Sequence, residues 1–188
     1  MSVEDTGLLM TPGPVHIDGS VWEGLEQLHH RTDRFRSIVI ETSRMLAGLA
    51  GSSGKVFLLT MSGTGAMESA IVNLAPPGSK VLVVSGGKFG DRWEDIAIRF
   101  GCRCETLRYG PGERIIPSRV ADEVAAVRPE LLCLTHVESS TGLLLEIRDV
   151  LEKITVPRPL VVLDAIASMA TETLDMDGWG IDLVAGAG

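Results

Sequence analysis

Asp164 stands at the end of an apolar run, Pro159-Leu160-Val161-Val162-Leu163. A carboxylate carried into such a setting is costly unless a cation or a set of donors keeps it ionised. A protonated pyridine nitrogen can be that partner, and so can a metal ion. No second carboxylate or histidine stands at ligand spacing, which weakens the metal reading. The plain alternative is a capping aspartate before a turn. Function is preferred, because carboxylates at the ends of parallel strands so often meet a ligand.

Three other clusters have chemical potential. Ser62-Gly63-Thr64-Gly65-Ala66-Met67-Glu68 follows a strand-like run. Its glycines let the backbone approach an anion, the helix that follows offers free N–H groups, and Thr64 adds a hydroxyl. It matches neither a nucleotide P-loop nor G-x-G-x-x-G, and a simple capped turn stays equally open. Gly86-Gly87-Lys88-Phe89-Gly90-Asp91-Arg92-Trp93 offers Phe89 to stack on a planar ring and Arg92 to neutralise an anion. Taken alone, core packing for Phe89 and surface pairing of Arg92 with Asp91 or Glu94 are the preferred readings. His136-Val137-Glu138-Ser139-Ser140-Thr141-Gly142 places hydroxyls and two titratable groups together. No nucleophile elbow supports a Ser-His hydrolase, and His136 can equally be a core histidine.

The elements that must position these clusters alternate along the chain. Helices are expected over Val21 to Leu28 and Ile38 to Leu49, before the break at Gly51-Ser52-Ser53-Gly54. Strands are expected at Val56–Thr60, Lys80–Val84, Arg103–Leu107, Leu131–Thr135, Leu160–Asp164 and Ile181–Val184. Helices from about Gly65, from about Phe89, and over Ser118–Val127 and Glu146–Ile154 separate them. Short, continuously apolar strands joined by helices predict an α/β fold, a doubly wound and mainly parallel sheet with its ligand beyond the carboxyl ends.

Composition agrees. The 188 residues hold 45% hydrophobic side chains and 21 glycines, enough for a real core with many tight turns. A net charge of −8 argues against nucleic-acid and anionic-membrane surfaces. Cys102, Cys104 and Cys133 form neither a disulfide framework nor a zinc site and read as reduced, buried thiols. With no signal-peptide pattern and no membrane-length apolar run, the expected location is the cytoplasm.

In this order and spacing the clusters resemble the class V family of pyridoxal-phosphate (PLP) enzymes of fold type I, nearest the alanine/serine–glyoxylate aminotransferase group. The resemblance also takes in Met10-Thr11-Pro12-Gly13-Pro14, His30-Arg31, Phe35 and Trp179-Gly180-Ile181-Asp182, so it covers almost the whole chain. It implies that residues 55–188 form the PLP-binding large domain, incomplete at its C-terminal end, and that residues 1–54 supply a substrate loop and dimer contacts. Thr64, Gly65 and Ala66 would hold the phosphate. Phe89 would stack on the pyridine ring, where relatives often carry Trp, and Ser139 would lie beside the phenolic oxygen. Asp164 would pair with the ring nitrogen, and Pro12 and Gly13 would line the substrate pocket.

Two departures stand out. Ala66 replaces a larger polar residue such as His. The family's Schiff-base lysine, in a Ser-Gln-Lys that follows a strand like Ile181–Val184, is absent: the chain reaches Ala185-Gly186-Ala187-Gly188, and Lys55, Lys80, Lys88 and Lys153 do not match that position. The expectation is an N-terminal half of an aminotransferase acting on an amino acid and a keto acid such as glyoxylate or pyruvate. A complementary C-terminal subunit would carry the lysine, in a dimer of such heterodimers. The alternatives are a truncated chain, a PLP-dependent lyase or desulfurase of the same fold, and a non-catalytic ligand-binding or scaffolding subunit.

Overall fold

Short runs of valine and leucine set the architecture, because parallel strands covered on both faces have no polar side to present. The computed structural model of the chain describes residues 9, 11, 13, 15–155 and 157–187. They form two compact units, Met1–Thr42 and Ser43–Gly188. The first holds α1 (Gly19–Glu23), and the boundary falls within α2 (Asp33–Leu49).

The second unit runs α3 (Gly63–Leu74), β1 (Lys80–Ser85), α4 (Lys88–Arg99), β2 (Arg103–Arg108), α5 (Pro117–Val127) and β3 (Leu131–Thr135). A small antiparallel hairpin follows, β4 (Val137–Glu138) with β5 (Leu143–Leu144), then α6 (Ile147–Lys153), β6 (Leu160–Asp164), α7 (Met176–Trp179) and β7 (Leu183–Ala185). The main sheet has five parallel strands in the order β2-β1-β3-β6-β7.

Side chains alternate between the two faces of this sheet. Val81, Val83, Cys133 and Val162 pack with Met67 and Ile71 of α3 and Trp93 and Ile96 of α4. Leu82, Val84, Leu132, Leu134, Val161 and Leu163 pack on the opposite side with Val120 and Val124 of α5 and Ile147 and Val150 of α6. Helices cover both faces, as the strand–helix alternation predicts.

The expected strand over Val56–Thr60 does not form. Backbone N–H and C=O groups make a strand only when a neighbour completes the ladder. No strand among the described residues pairs with this run, and Phe57 is 76% exposed, Leu58 50% and Leu59 48%. Helix α1 is shorter than its apolar residues suggest. Asp18 caps it by accepting the Ser20 N–H at 2.8 Å, Gly24 ends it, and none of its residues is buried to extend it. Helix α2 starts earlier than its apolar stripe, because the Thr32 hydroxyl accepts the Phe35 N–H at 3.2 Å as a cap. The three cysteines are free, and burial raises each thiol, that of Cys104 to about 11. Burial is complete only for Cys133, whereas Cys102 and Cys104, expected to be buried too, are partly exposed.

The contrast between the two apolar runs can be measured. Leu132→Ala in the fully buried β3 is expected to cost about 2–5 kcal/mol in chemical denaturation. Phe57→Ser should change the stability of the chain by less than about 0.5 kcal/mol. Equal losses at the two positions would place 56–60 in a packed strand after all.

Candidate active site

Ser85, Thr135 and Asp164 end β1, β3 and β6, and the two-residue alternation puts all of them on the α3/α4 face. Thr135 and Asp164 are register partners across β3 and β6. Asp164 is only 3% exposed. Its Oδ1 accepts the Ile166 N–H at 2.9 Å, and among the described residues its side chain has no other hydrogen bond. Burial pushes its carboxyl up to about 6; the Ile166 N–H opposes that, the charge of Glu138 adds to it and the charge of Arg92 works against it. Among the described residues the buried Thr135 hydroxyl nearby has no partner.

Helix α3 brings its N-terminus to this carboxylate. Ser62 caps it, accepting the Gly65 N–H at 3.3 Å on its hydroxyl and the Ala66 N–H at 3.1 Å on its carbonyl. Two of the three backbone groups expected to hold an anion are therefore engaged in the cap. The N–H groups of Gly63 and Thr64 have no partner among the described residues. A Cβ at Gly63 would stand 2.5 Å from Ile166 Cδ1, so glycine is what lets this turn lie against the loop after Asp164. The Ala66 methyl packs toward the α3/α4 core and presents no polar group.

Helix α4 brings the aromatic ring. Its N-terminus is held by Glu138, a residue only 2% exposed that comes from β4. Oε2 of Glu138 accepts the N–H groups of Phe89 at 2.9 Å and Gly90 at 3.0 Å, while Oε1 accepts the N–H and hydroxyl of Ser140. The Ser140 hydroxyl oxygen also accepts the Lys88 N–H at 3.0 Å. A Cβ at Gly87 would come within 2.8 Å of the Glu138 carboxyl carbon, so the approach depends on glycine there too. This tie joins the loop that carries half-buried Ser139 to the helix start that carries half-buried Phe89.

Arg92, one turn beyond Phe89, lies 4.9 Å from the centre of the phenyl ring and donates to Thr64 Oγ1 at 3.0 Å. The surface pairing expected for it does not occur: Asp91 and Glu94 both pair with Arg108. His136 turns to the other face, where Nδ1 meets Ser168 Oγ at 3.0 Å and the ring meets Trp179 edge-on. Burial lowers its pKa, as for a neutral core histidine. Gly13 belongs to the first unit, and Pro12 lies outside the described residues. Among the described residues no group of acidic, His and Cys side chains could hold a metal ion.

The structure thus joins Thr64, Gly65, Ala66, Phe89, Ser139 and Asp164 at one sheet edge, and adds Arg92, Glu138 and Thr135. The spacing of 89 and 92 on one helix was a usable signal for Arg92. Glu138 binds backbone amides distant in sequence, which no spacing of side chains reveals.

Two measurements follow. Glu138→Ala strands buried N–H groups and should cost about 2–4 kcal/mol in denaturation, whereas Glu138→Gln keeps an acceptor for α4 and should cost about 1 kcal/mol. A loss for Glu138→Ala no larger than a surface substitution would remove the tie from the account. At Asp164 the folded value, about 6, lies above the ordinary 3.8, so the fold favours the protonated form. The stabilising contribution is then complete below about pH 4 and is lost as pH rises through about 6. Asp164→Asn should abolish that loss, worth at most about 3 kcal/mol, in melting curves of the ligand-free chain taken between those values. Parallel pH profiles for the two proteins would contradict a raised Asp164.

Residues 18–188 match the family model Aminotransferase class-V. Across 97% of its length the chain is 30% identical to the soluble hydrogenase 42 kDa subunit of Anabaena cylindrica and covers 49% of that protein. It is 31% identical, over 94% of its length, to alanine–glyoxylate aminotransferase of Oryctolagus cuniculus, covering 46% of it. The crystal structure of the subgroup IV aspartate aminotransferase from Thermus thermophilus superposes with a TM-score of 0.88 at 34% identity, over 96% of this chain and 52% of that one. The chain spans about half the length of the relatives it matches. No helix among the described residues is long and apolar enough to cross a membrane. The matched region contains the whole sheet together with α3 and α4, and the chain belongs to the class-V aminotransferases, a family whose cofactor is pyridoxal phosphate.

Proposed function

We propose that this chain is the N-terminal, cofactor-binding half of an aminotransferase that moves an amino group from an amino acid to a keto acid of the glyoxylate or pyruvate type. The observation that carries the reading is Asp164. It is a buried carboxylate with a single backbone donor, and it shares one sheet face with a helix N-terminus that has free N–H groups. That arrangement suits a planar ligand with a cationic N–H at one end and an anion at the other. The unpartnered Thr135 hydroxyl and the half-buried Phe89 ring are further groups that such a ligand can engage. When bound, pyridoxal phosphate supplies an electron sink for a carbanion at the substrate's α-carbon.

This chain's residues then have separate tasks. Asp164, ionised at neutral pH by the cation it accepts, holds a proton on the ring nitrogen. Thr64, with Gly65 and Ala66 at the start of α3, receives the phosphate through its hydroxyl and the free N–H groups of the turn. Phe89 covers one ring face and keeps water from it, and Ser139 offers a hydroxyl to the phenolic oxygen. Residues 1–54, with Pro12 and Gly13, serve the substrate loop and the dimer contacts. The proton-transferring lysine and the C-terminal domain come, in this reading, from a complementary subunit, two copies of each half forming the working enzyme in the cytoplasm.

The test is to purify the chain with that complementary polypeptide and add pyridoxal phosphate and borohydride. Covalent cofactor is expected on a lysine of the partner, found by peptide mass mapping. Cofactor that is never trapped there defeats the two-subunit reading. Asp164→Ala should keep the two chains together on gel filtration yet lower turnover by about a hundredfold or more. Turnover at the original rate would remove Asp164 from its assigned role.

A further inference from the structure

Arg92 touches more of the site than any residue singled out from sequence. Its guanidinium stands over Phe89, bonds Thr64 and acts on the Asp164 charge across the same space. It is half-buried, and among the described residues it forms no salt bridge, since the carboxylates beside it on α4 are taken by Arg108. A partly desolvated cation without an anion is a cost to the fold.

The direction of the bond to Thr64 is decisive. A guanidinium has donors only, so Thr64 Oγ1 is the acceptor. The hydroxyl proton must then point away from Arg92. Among the described residues nothing accepts it, including the carbonyls one turn back that a helical threonine often uses. The N–H groups of Gly63 and Thr64 in the same turn are also free among the described residues. One hydroxyl donor and two amide donors are thus available at the start of a 12-residue helix, next to a cation without a salt bridge.

We propose that Arg92 is the positioning residue of this anion site: it orients the Thr64 hydroxyl as a donor to a phosphoryl oxygen, and so makes the site prefer a phosphorylated ring over the same ring without phosphate. The inference rests on the cofactor reading above and adds to it the group that selects the phosphate. Arg92 also takes up the loss at Ala66, where the side chain packs into the core and has nothing to offer an anion. Its cation–π contact with Phe89 keeps the guanidinium close to the cradle, since the two residues lie one turn apart on the same helix.

The test uses the full chain with pyridoxamine 5′-phosphate and pyridoxamine, amines that cannot condense with its lysines, and reads their affinities by calorimetry. The wild-type chain is expected to bind the phosphorylated compound at least about tenfold more tightly. Arg92→Met should reduce that ratio about tenfold, and Arg92→Lys should reduce it partially, because an ammonium lacks the planar fork. Thr64→Val should reduce it as well, and adding Arg92→Met to Thr64→Val should bring no further loss. An unchanged ratio in Arg92→Met overturns the inference while leaving the cofactor reading standing. Fully additive losses overturn it too, because Arg92 would then act independently of Thr64. If the wild-type chain shows no preference for the phosphorylated ring, the cofactor reading itself fails, and this inference with it. Should Arg92→Met melt early, the Arg92→Lys and Thr64→Val ratios decide the question in the same way.

Discussion

The carboxylate of Glu138 sits on the N-terminus of α4, and the geometry of the whole site hangs on that contact. A helix start leaves backbone N–H groups without intrahelical partners and gathers partial positive charge. Gly87, the residue before α4, has no side chain to cap it, and the cap arrives instead from β4, 49 residues further along. One carboxylate oxygen serves the helix and the other serves the loop that carries Ser139. The same side chain therefore sets where the aromatic ring stands and where the hydroxyl loop stands. Because Glu138 and Gly90 are buried and Phe89 is half-buried, the contact has few alternatives: a displaced Glu138 would leave the N–H groups of α4 unsatisfied.

Close backbone approach works alongside that contact. The turn before α3 can lie against Ile166 only because Gly63 has no Cβ, and the start of α4 can lie against Glu138 only because Gly87 has none. Two glycines thus let the starts of α3 and α4 lie close to the loops that follow β6 and β4. The apolar layers beneath do the rest. Trp93 and Met67, both fully buried, lock α4 and α3 to the sheet face that ends in Ser85, Thr135 and Asp164.

Most of this architecture was legible in the residues. Continuous Val/Leu runs with polar residues at their ends suffice to name parallel strands and to locate the active edge. The clusters around Thr64, Phe89, Ser139 and Asp164 were visible because each directly follows such a run. Val56–Thr60 shows the limit of that reasoning. Its composition is that of a strand, but a strand is a relation between two segments, and composition describes only one. Glu138 shows another limit, since its partners are amides, which every residue has. Arg92 was misassigned for a third reason: two acidic neighbours on its own helix looked like its partners, and an arginine from β2 takes both.

The charges left over define the ligand more sharply than any single motif. Asp164 is held above its ordinary pKa by burial and by Glu138, a cost that a cationic N–H donor would relieve without moving the carboxylate. Arg92 lowers that pKa from a distance but gives its nearest donor to Thr64 rather than to Asp164. A buried carboxylate with one backbone donor and a cation without a salt bridge therefore act on each other within this site, with the Phe89 ring beside the cation. A simple anion would satisfy Arg92 and worsen Asp164, and a simple cation would do the reverse. A flat molecule carrying a cationic N–H at one end and a phosphate at the other satisfies both at once. Under the proposed cofactor reading, the cationic N–H would meet Asp164 at the end of β6 and the phosphate would meet the start of α3.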